Sequence, residues 1–237
     1  MRSDAHSHLS PFAEQLLAAV PVRTVFSCAT PEECQQAAAL AARHACVHRS
    51  CGIHPWYVTD DSWTTMLPWL EDAAVIGEIG LDNVWCTTDL ALQRQLFERQ
   101  LAFACARQRP VVLHTKGMEG EVLAMIRHYP NTYHVHWYSC RDYLDDYLAL
   151  GCYMSVGPFP SLDPAVAAVA AHTPADRLLI ETDGIDAVRW ATGEDHVDYL
   201  QALDRIAEDI AALRGSSAEA VQAQADANLQ RFLTLGA

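Results

Sequence analysis

No apolar run in this sequence reaches the roughly 18 residues that a membrane span needs. No basic stretch followed by an apolar segment near Met1 marks a secretory leader. Basic residues are scarce: 16 Lys and Arg stand against 30 Asp and Glu, a net charge of −14. That balance opposes broad attachment to nucleic acid, so a nucleic-acid substrate needs a local positive site, from bound metal ions or a few Lys and Arg. The 8 cysteines contain no C-x-x-C pair, which excludes a zinc ribbon. Their irregular spacing also speaks against a disulfide framework in a chain of 237 residues. They are expected to be reduced, small hydrophobes in a cytoplasmic protein. Cys86 and Cys140 fall in expected loops, where filler is the default and site lining the alternative. There is no internal repeat, low-complexity tract or linker, so residues 1–237 are read as one domain.

What is present is an alternation of short apolar runs with amphipathic stretches. The runs predict eight strands: Arg2–His6, Val22–Ser27, Cys46–Cys51, Ala74–Glu78, Pro110–His114, Thr132–His136, Cys152–Val156 and Arg177–Glu181. Between them lie helix signals. Leu90, Phe97, Leu101 and Ala104 share one helix face, and Leu200, Leu203, Ile206, Ile210 and Leu213 share another. Thr30-Pro31-Glu32-Glu33 reads as a capped helix start, and a last helix is expected from Ser217 to Leu235. Eight buried strands separated by helices predict an α/β fold, a closed (β/α)8 TIM-like barrel. The alternative, an open doubly wound sheet, is disfavoured because no Gly-rich phosphate loop follows the first strand.

Polar residues collect at the C-terminal ends of these strands. DAHSHL puts His6 and His8 two apart, so that on a strand both imidazoles face one way. His54 (CGIHPW), Glu78 (GEIGLD), His114 (LHTKG), His136 (HWYSC) and Asp183 (ETDG) follow on later strands. Any one of them alone is more often a capping or solvent-facing group. In a barrel, however, these ends meet around one rim, where active sites lie. Imidazoles and carboxylates gathered in this way match two divalent cations. His6 and His8 serve one ion, His114 and His136 the other; Glu78 bridges, and Asp183 closes the ring. Two ions roughly 3.5–4 Å apart polarise a phosphoryl or carbonyl oxygen and lower the pKa of water, whose proton Asp183 can accept. By ligand type the histidines lean to Zn²⁺ or Mn²⁺. His54 either binds a substrate anion or braces the rim, and Lys116 is either a phosphate contact or a solvated lysine. Trp56, Trp137 and Tyr138 offer stacking faces in rim loops, with core packing favoured for Trp137.

The set DAHSHL, GIHPW, GEIGLD, QRQLFERQLAFA, PVVLHT, HWYS and LLIETD, closed by Asn228 and Phe232 in NLQRFL, resembles the TatD family of metal-dependent hydrolases. The resemblance runs from residue 4 to 232. It implies a TIM-like barrel, a two-metal site and a magnesium-dependent deoxyribonuclease, in some members a 3′→5′ exonuclease and in some relatives a deacylase. By position it implies His6, His8, Glu78, His114, His136 and Asp183 as metal ligands. The chain departs from the family pattern after Asp183 (ETDGIDAVRWATGED), at Cys140, at Lys116 and after Asp82. The metal ligands are kept while the substrate loops differ. The expected activity is therefore a two-metal phosphodiesterase acting on DNA ends with Mg²⁺, Mn²⁺ or Zn²⁺. The alternatives are an amide or ester hydrolase on the same rim and a metal-stabilised binding subunit.

Overall fold

The computed structural model describes residues 1–10 and 20–235. Eight strands, β1 (Arg2–Ser7), β2 (Val22–Cys28), β3 (Val47–Cys51), β4 (Val75–Gly80), β5 (Val111–His114), β6 (Tyr133–Val135), β7 (Tyr153–Val156) and β8 (Leu178–Ile180), form one sheet in sequence order. Every adjacent pair is parallel. The sheet closes where Asp183 N–H donates to the His6 carbonyl at 3.0 Å. The buried Asp4 reinforces that seam by accepting from Thr182 N–H at 2.9 Å, Thr182 Oγ1 at 2.6 Å and Tyr199 Oη at 2.7 Å. The expected TIM-like barrel is the fold, with strand ends within two residues of expectation.

The helices among the described residues are α1 (Pro31–Ala41), α2 (Ser62–Asp72), α3 (Leu90–Ala106), α4 (Glu119–Ile126), α5 (Leu144–Ala149), α6 (Pro164–His172), α7 (Ile185–Thr192), α8 (Tyr199–Arg214) and α9 (Ala218–Thr234). Among the described residues no helix is long and apolar enough to cross a membrane. α1 starts as its sequence predicts. Thr30 accepts from Glu33 N–H, Glu33 accepts from Thr30 N–H, and Pro31 fills the first turn, where no backbone donor is needed. α8 buries Leu203, Ile206 and Ile210, but Leu213 is 47% exposed. The stripe turns instead through Ala207 and Ala211, small residues that bring the helix close to its neighbours.

Two apolar clusters hold the barrel. The larger lies between strands and helices. The smaller joins Val25, Val75, Val112, Tyr153 and Leu179 of the strands to Leu229 and Phe232 of α9. Val75, Val112, Tyr153 and Leu179 sit near the starts of their strands, so α9 closes the N-terminal end and leaves the opposite rim for chemistry.

Two strands break their regular pairing to serve that rim. The β1–β2 register shifts between Asp4 and Ser7, and the β4–β5 register between Ile76 and Ile79. In a regular strand consecutive side chains point to opposite faces. The shift lets Ala5 join the lower cluster while the next residue, His6, joins the rim. In β4 it does the same for Val75 below and Glu78 above. The glycines of GEIGLD are part of this device. Gly80 has φ +156°, and a Cβ there would stand 1.9 Å from the His114 carbonyl oxygen, so β4 and β5 approach only because it is glycine.

Candidate active site

Glu78, 3% exposed, stands at the centre of the rim. Its Oε1 lies 2.5 Å from His114 Nδ1, 2.8 Å from His136 Nε2 and 3.3 Å from His54 Nε2. Its Oε2 lies 3.3 Å from His6 Nε2. Asp183 Oδ1 lies 3.2 Å from His6 Nε2 and 3.3 Å from His8 Nε2. The rings of His6 and His136 stack with centroids 4.2 Å apart. The six residues expected as ligands are therefore gathered, with one carboxylate oxygen of Glu78 facing each histidine group.

Among the described residues, donor atoms fall into three groups able to hold a cation: His6, His8 and Asp183; His6, His136 and Glu181; and His54, Glu78 and His114. Both ring nitrogens of His6, Glu78 Oε2, His136 Nδ1, Glu181 Oε1 and Asp183 Oδ1 are buried without a hydrogen-bond partner. Orphaned buried polar atoms are costly. So many of them, converging on one space, fit bound divalent cations.

Electrostatics agree. Burial acts to raise the Glu78 carboxyl pKa, but His136, His54, His6 and His114 outweigh it and hold it well below the ordinary value. Burial and the two histidines set Asp183 in the same way, well below a usual carboxylate. Burial and His136 act to lower His6, yet Glu78 and Asp183 carry it up to about 9. The carboxylates are thus ionised and draw positive charge to the rim, the condition that favours a metal ion.

Second partners fix which nitrogen each imidazole offers. Asp82 Oδ2 accepts from His114 Nε2–H at 2.9 Å, leaving Nδ1 as the nitrogen able to ligate. The same oxygen accepts from Trp56 Nε1–H at 2.7 Å, and Asp82 Oδ1 accepts from the backbone N–H of Val84 and Trp85. His136 Nδ1 faces Glu181 Oε1 at 3.5 Å, leaving Nε2 toward Glu78. Below Glu181 the polar column continues, with Ser155 donating to Glu181 at 2.6 Å and accepting from His134 at 2.6 Å. His54 differs: its Nδ1 accepts from Trp56 N–H at 3.1 Å, capping the 3-10 turn Pro55–Tyr57. Its Nε2 therefore carries the proton, and burial lowers its pKa against the pull of Glu78. His54 thus braces the rim through Nδ1 and turns its Nε2–H toward Glu78 Oε1 at 3.3 Å.

A cavity of about 520 Å³ opens over these groups, lined among others by His8, His54, Glu78, His114, His136, Asp183, Lys116 and four tryptophans. Lys116 Nζ donates to Ser139 Oγ at 3.0 Å and lies 5.7 Å from the Trp85 ring. Trp137, expected as core, packs against the core edge and also lines the cavity. Tyr138, expected as a stacking face, does not reach it. It is 1% exposed, packs on Tyr147 with centroids 5.3 Å apart and donates its hydroxyl to the Asp142 carbonyl. Adjacent residues of the loop point opposite ways, and Trp137 takes the cavity side. Asp82, Glu181, Trp85 and Trp190 belong to the rim and were not singled out from sequence. Glu181 was reachable, since it precedes Asp183 by two, the same spacing as His6 and His8. Cys86 and Cys140 do not line the cavity, and the eight cysteines are all free.

The 3′-5′ ssDNA/RNA exonuclease TatD of Dickeya dadantii is 28% identical over 224 residues, 86% of this chain and 84% of that one. The enzyme of the same description from Edwardsiella piscicida is 32% identical over 148 residues, so the chain spans just over half, 56%, of that relative's length. The crystal structure of the TatD homologue YJJV from Escherichia coli K12 shares the fold, with a TM-score of 0.83 at 23% identity over 98% of this chain and 97% of that one. The family model of TatD-related DNases matches residues 3–234, and the chain belongs to that family.

Proposed function

We propose that this barrel is a divalent-metal phosphodiesterase that removes nucleotides from the end of a single-stranded nucleic acid. The observation that carries the reading is Glu78, set between two histidine groups with an oxygen toward each. The relatives described as 3′-5′ ssDNA/RNA exonucleases support the substrate. His6, His8 and Asp183 would hold one cation, His114 and His136 a second, and Glu78 both. Cations held there supply Lewis-acid polarisation of the phosphoryl group and lower the pKa of water. Mg²⁺, Mn²⁺ and Zn²⁺ are the candidate ions, two per chain.

The chain's own groups do the rest. Asp183, 17% exposed at the cavity wall and held well below a usual carboxylate pKa, accepts the proton of the attacking water. His54 Nε2–H and the Lys116 ammonium orient the phosphate as a neutral donor and a point charge. Asp82 holds the tautomer of His114, and Glu181 faces His136 Nδ1 at 3.5 Å. The free cysteines suit a reducing compartment, and we place the enzyme in the cytoplasm.

The test is digestion of end-labelled single-stranded DNA and RNA with Mg²⁺, Mn²⁺ or Zn²⁺, with EDTA as control. Stepwise, EDTA-sensitive release of mononucleotides is expected. No phosphodiester cleavage with any of these cations overturns the reading.

A further inference from the structure

We propose that Trp85, Trp137 and Trp190 form a stacking clamp for the base of the last nucleotide, and that this clamp, not a basic track, holds the strand. The inference rests on the phosphodiesterase reading and specifies its substrate contact.

Trp190 sits on α7, directly after Asp183, and overhangs the cavity. Its ring centroid lies 5.8 Å from Trp85 at an interplanar angle of 86° and 6.1 Å from Trp137 at 72°. Two rings nearly perpendicular to a third make a corner, in which a flat group lies on one face while its edge meets another. Trp190 is 68% exposed and Trp85 53% exposed. Indoles left open side by side are costly in water unless a ligand covers them.

Charge on the rim restricts what that ligand is. Among the described residues lining the cavity, Lys116 is the one Lys or Arg, and Glu33 and Glu119 share the lining. A polyanion running outward over this rim meets carboxylates, so phosphate contacts stay at the cation site and at Lys116. The cavity, about 520 Å³, is of the size that takes a small ligand. A terminal nucleotide with its base in the indole corner satisfies all three conditions. A long strand gripped by its backbone satisfies none.

Two consequences are measurable in wild type. The logarithm of kcat/KM falls with the logarithm of salt with a slope no steeper than about −1.5, as for one or two phosphate contacts. The value is unchanged when the strand is lengthened from trinucleotides upward. The decisive comparison uses strands that end in a normal nucleotide or in an abasic one. Trp190→Ala is expected to lower kcat/KM on the normal end at least about fivefold more than on the abasic end, the lower bound of one lost base stack. Trp190→Phe restores most of the difference. In EDTA, thymidine 5′-phosphate is expected to quench the tryptophan fluorescence of wild type, and less so that of Trp190→Ala.

Equal loss on both ends, or kcat/KM rising with strand length, overturns the clamp. If wild type cleaves neither strand with any cation, the phosphodiesterase reading fails, and the quench alone decides the clamp: absence of quench removes it.

Discussion

Asp82 and His114 face each other across the mouth of the barrel, Oδ2 to Nε2 at 2.9 Å, and this contact decides which nitrogen His114 turns to the cation site. Glu78 Oε1 stands 2.5 Å from the other nitrogen. Asp82 is held in turn by Trp56 and by two backbone N–H groups, so its carboxylate has one orientation. Replacing it by Asn sets an amide donor against one of the donors now served by Oδ2. Asp82→Asn is expected to lower kcat/KM and Mn²⁺ affinity by about 10- to 100-fold, with far-UV circular dichroism unchanged. Activity and Mn²⁺ titration equal to wild type would show that Asp82 serves only the Val84–Trp85 turn.

Glu78 offers a direct test of cation binding that needs no substrate. A ligand that binds only the folded state stabilises it by about 2.7 kcal/mol at 100 times its Kd. For a chain of this size that is a rise in Tm of about 5–10 °C. Wild type in EDTA, then with saturating Mn²⁺, should show such a rise. Glu78→Gln keeps the shape of the side chain but removes its charge from the midst of four histidines, and is expected to shift by less than about 2 °C. A full rise in the variant would move the cations away from Glu78.

Gly80 carries a different burden. Its φ of +156° and the 1.9 Å distance from a built Cβ to the His114 carbonyl oxygen leave no room for a side chain. The atom it would strike is backbone of the strand that carries His114. Gly80→Ala is expected to cost more than about 3 kcal/mol, read as a lower urea midpoint or as loss of soluble protein. A variant within about 0.5 kcal/mol of wild type would mean that β4 and β5 separate freely.

The same glycine shows where sequence reasoning reaches its limit. Short apolar runs and the terminal position of each polar cluster were enough to place eight strands and to bring His6, His8, Glu78, His114, His136 and Asp183 to one rim. A run of apolar residues does not announce a shift in its pairing. The register shifts beside His6 and Glu78 depend on contacts with β2 and β5, which no local pattern contains. Asp82 was hidden for a related reason: its partners, Trp56 and His114, lie in other loops, and it reads as a turn residue on its own. Core packing was expected of Trp137 and a stacking face of Tyr138; the fold does the reverse, with Tyr138 inward and Trp137 over the cavity. Trp190 lies in the stretch where the chain leaves the pattern of its family, so no motif marked it.

Arg2 and Asp204 supply the pH-dependent prediction, at a distance from the rim. The guanidinium donates Nε–H to Oδ1 and Nη2–H to Oδ2, both at 2.7 Å, tying the start of β1 to α8. Those hydrogen bonds are the main reason the Asp204 carboxyl is held below its ordinary pKa, against a smaller effect of burial. A carboxyl whose folded pKa is depressed binds fewer protons folded than unfolded near that value. Its stabilisation is therefore complete above the unfolded pKa of about 3.9 and is lost as the pH falls through the lower folded value. Both side chains are about one-third exposed, at 34% and 35%, so solvent screens the pair, while its two-pronged geometry keeps it above a bare surface contact. About 0.5–1 kcal/mol is expected from it. Asp204→Asn should unfold at lower urea than wild type by that amount at about pH 7, and the gap should close as the pH falls below about 4. A gap that persists undiminished to about pH 3 would assign the loss to packing or to the Gln222 hydrogen bond at 2.7 Å rather than to charge.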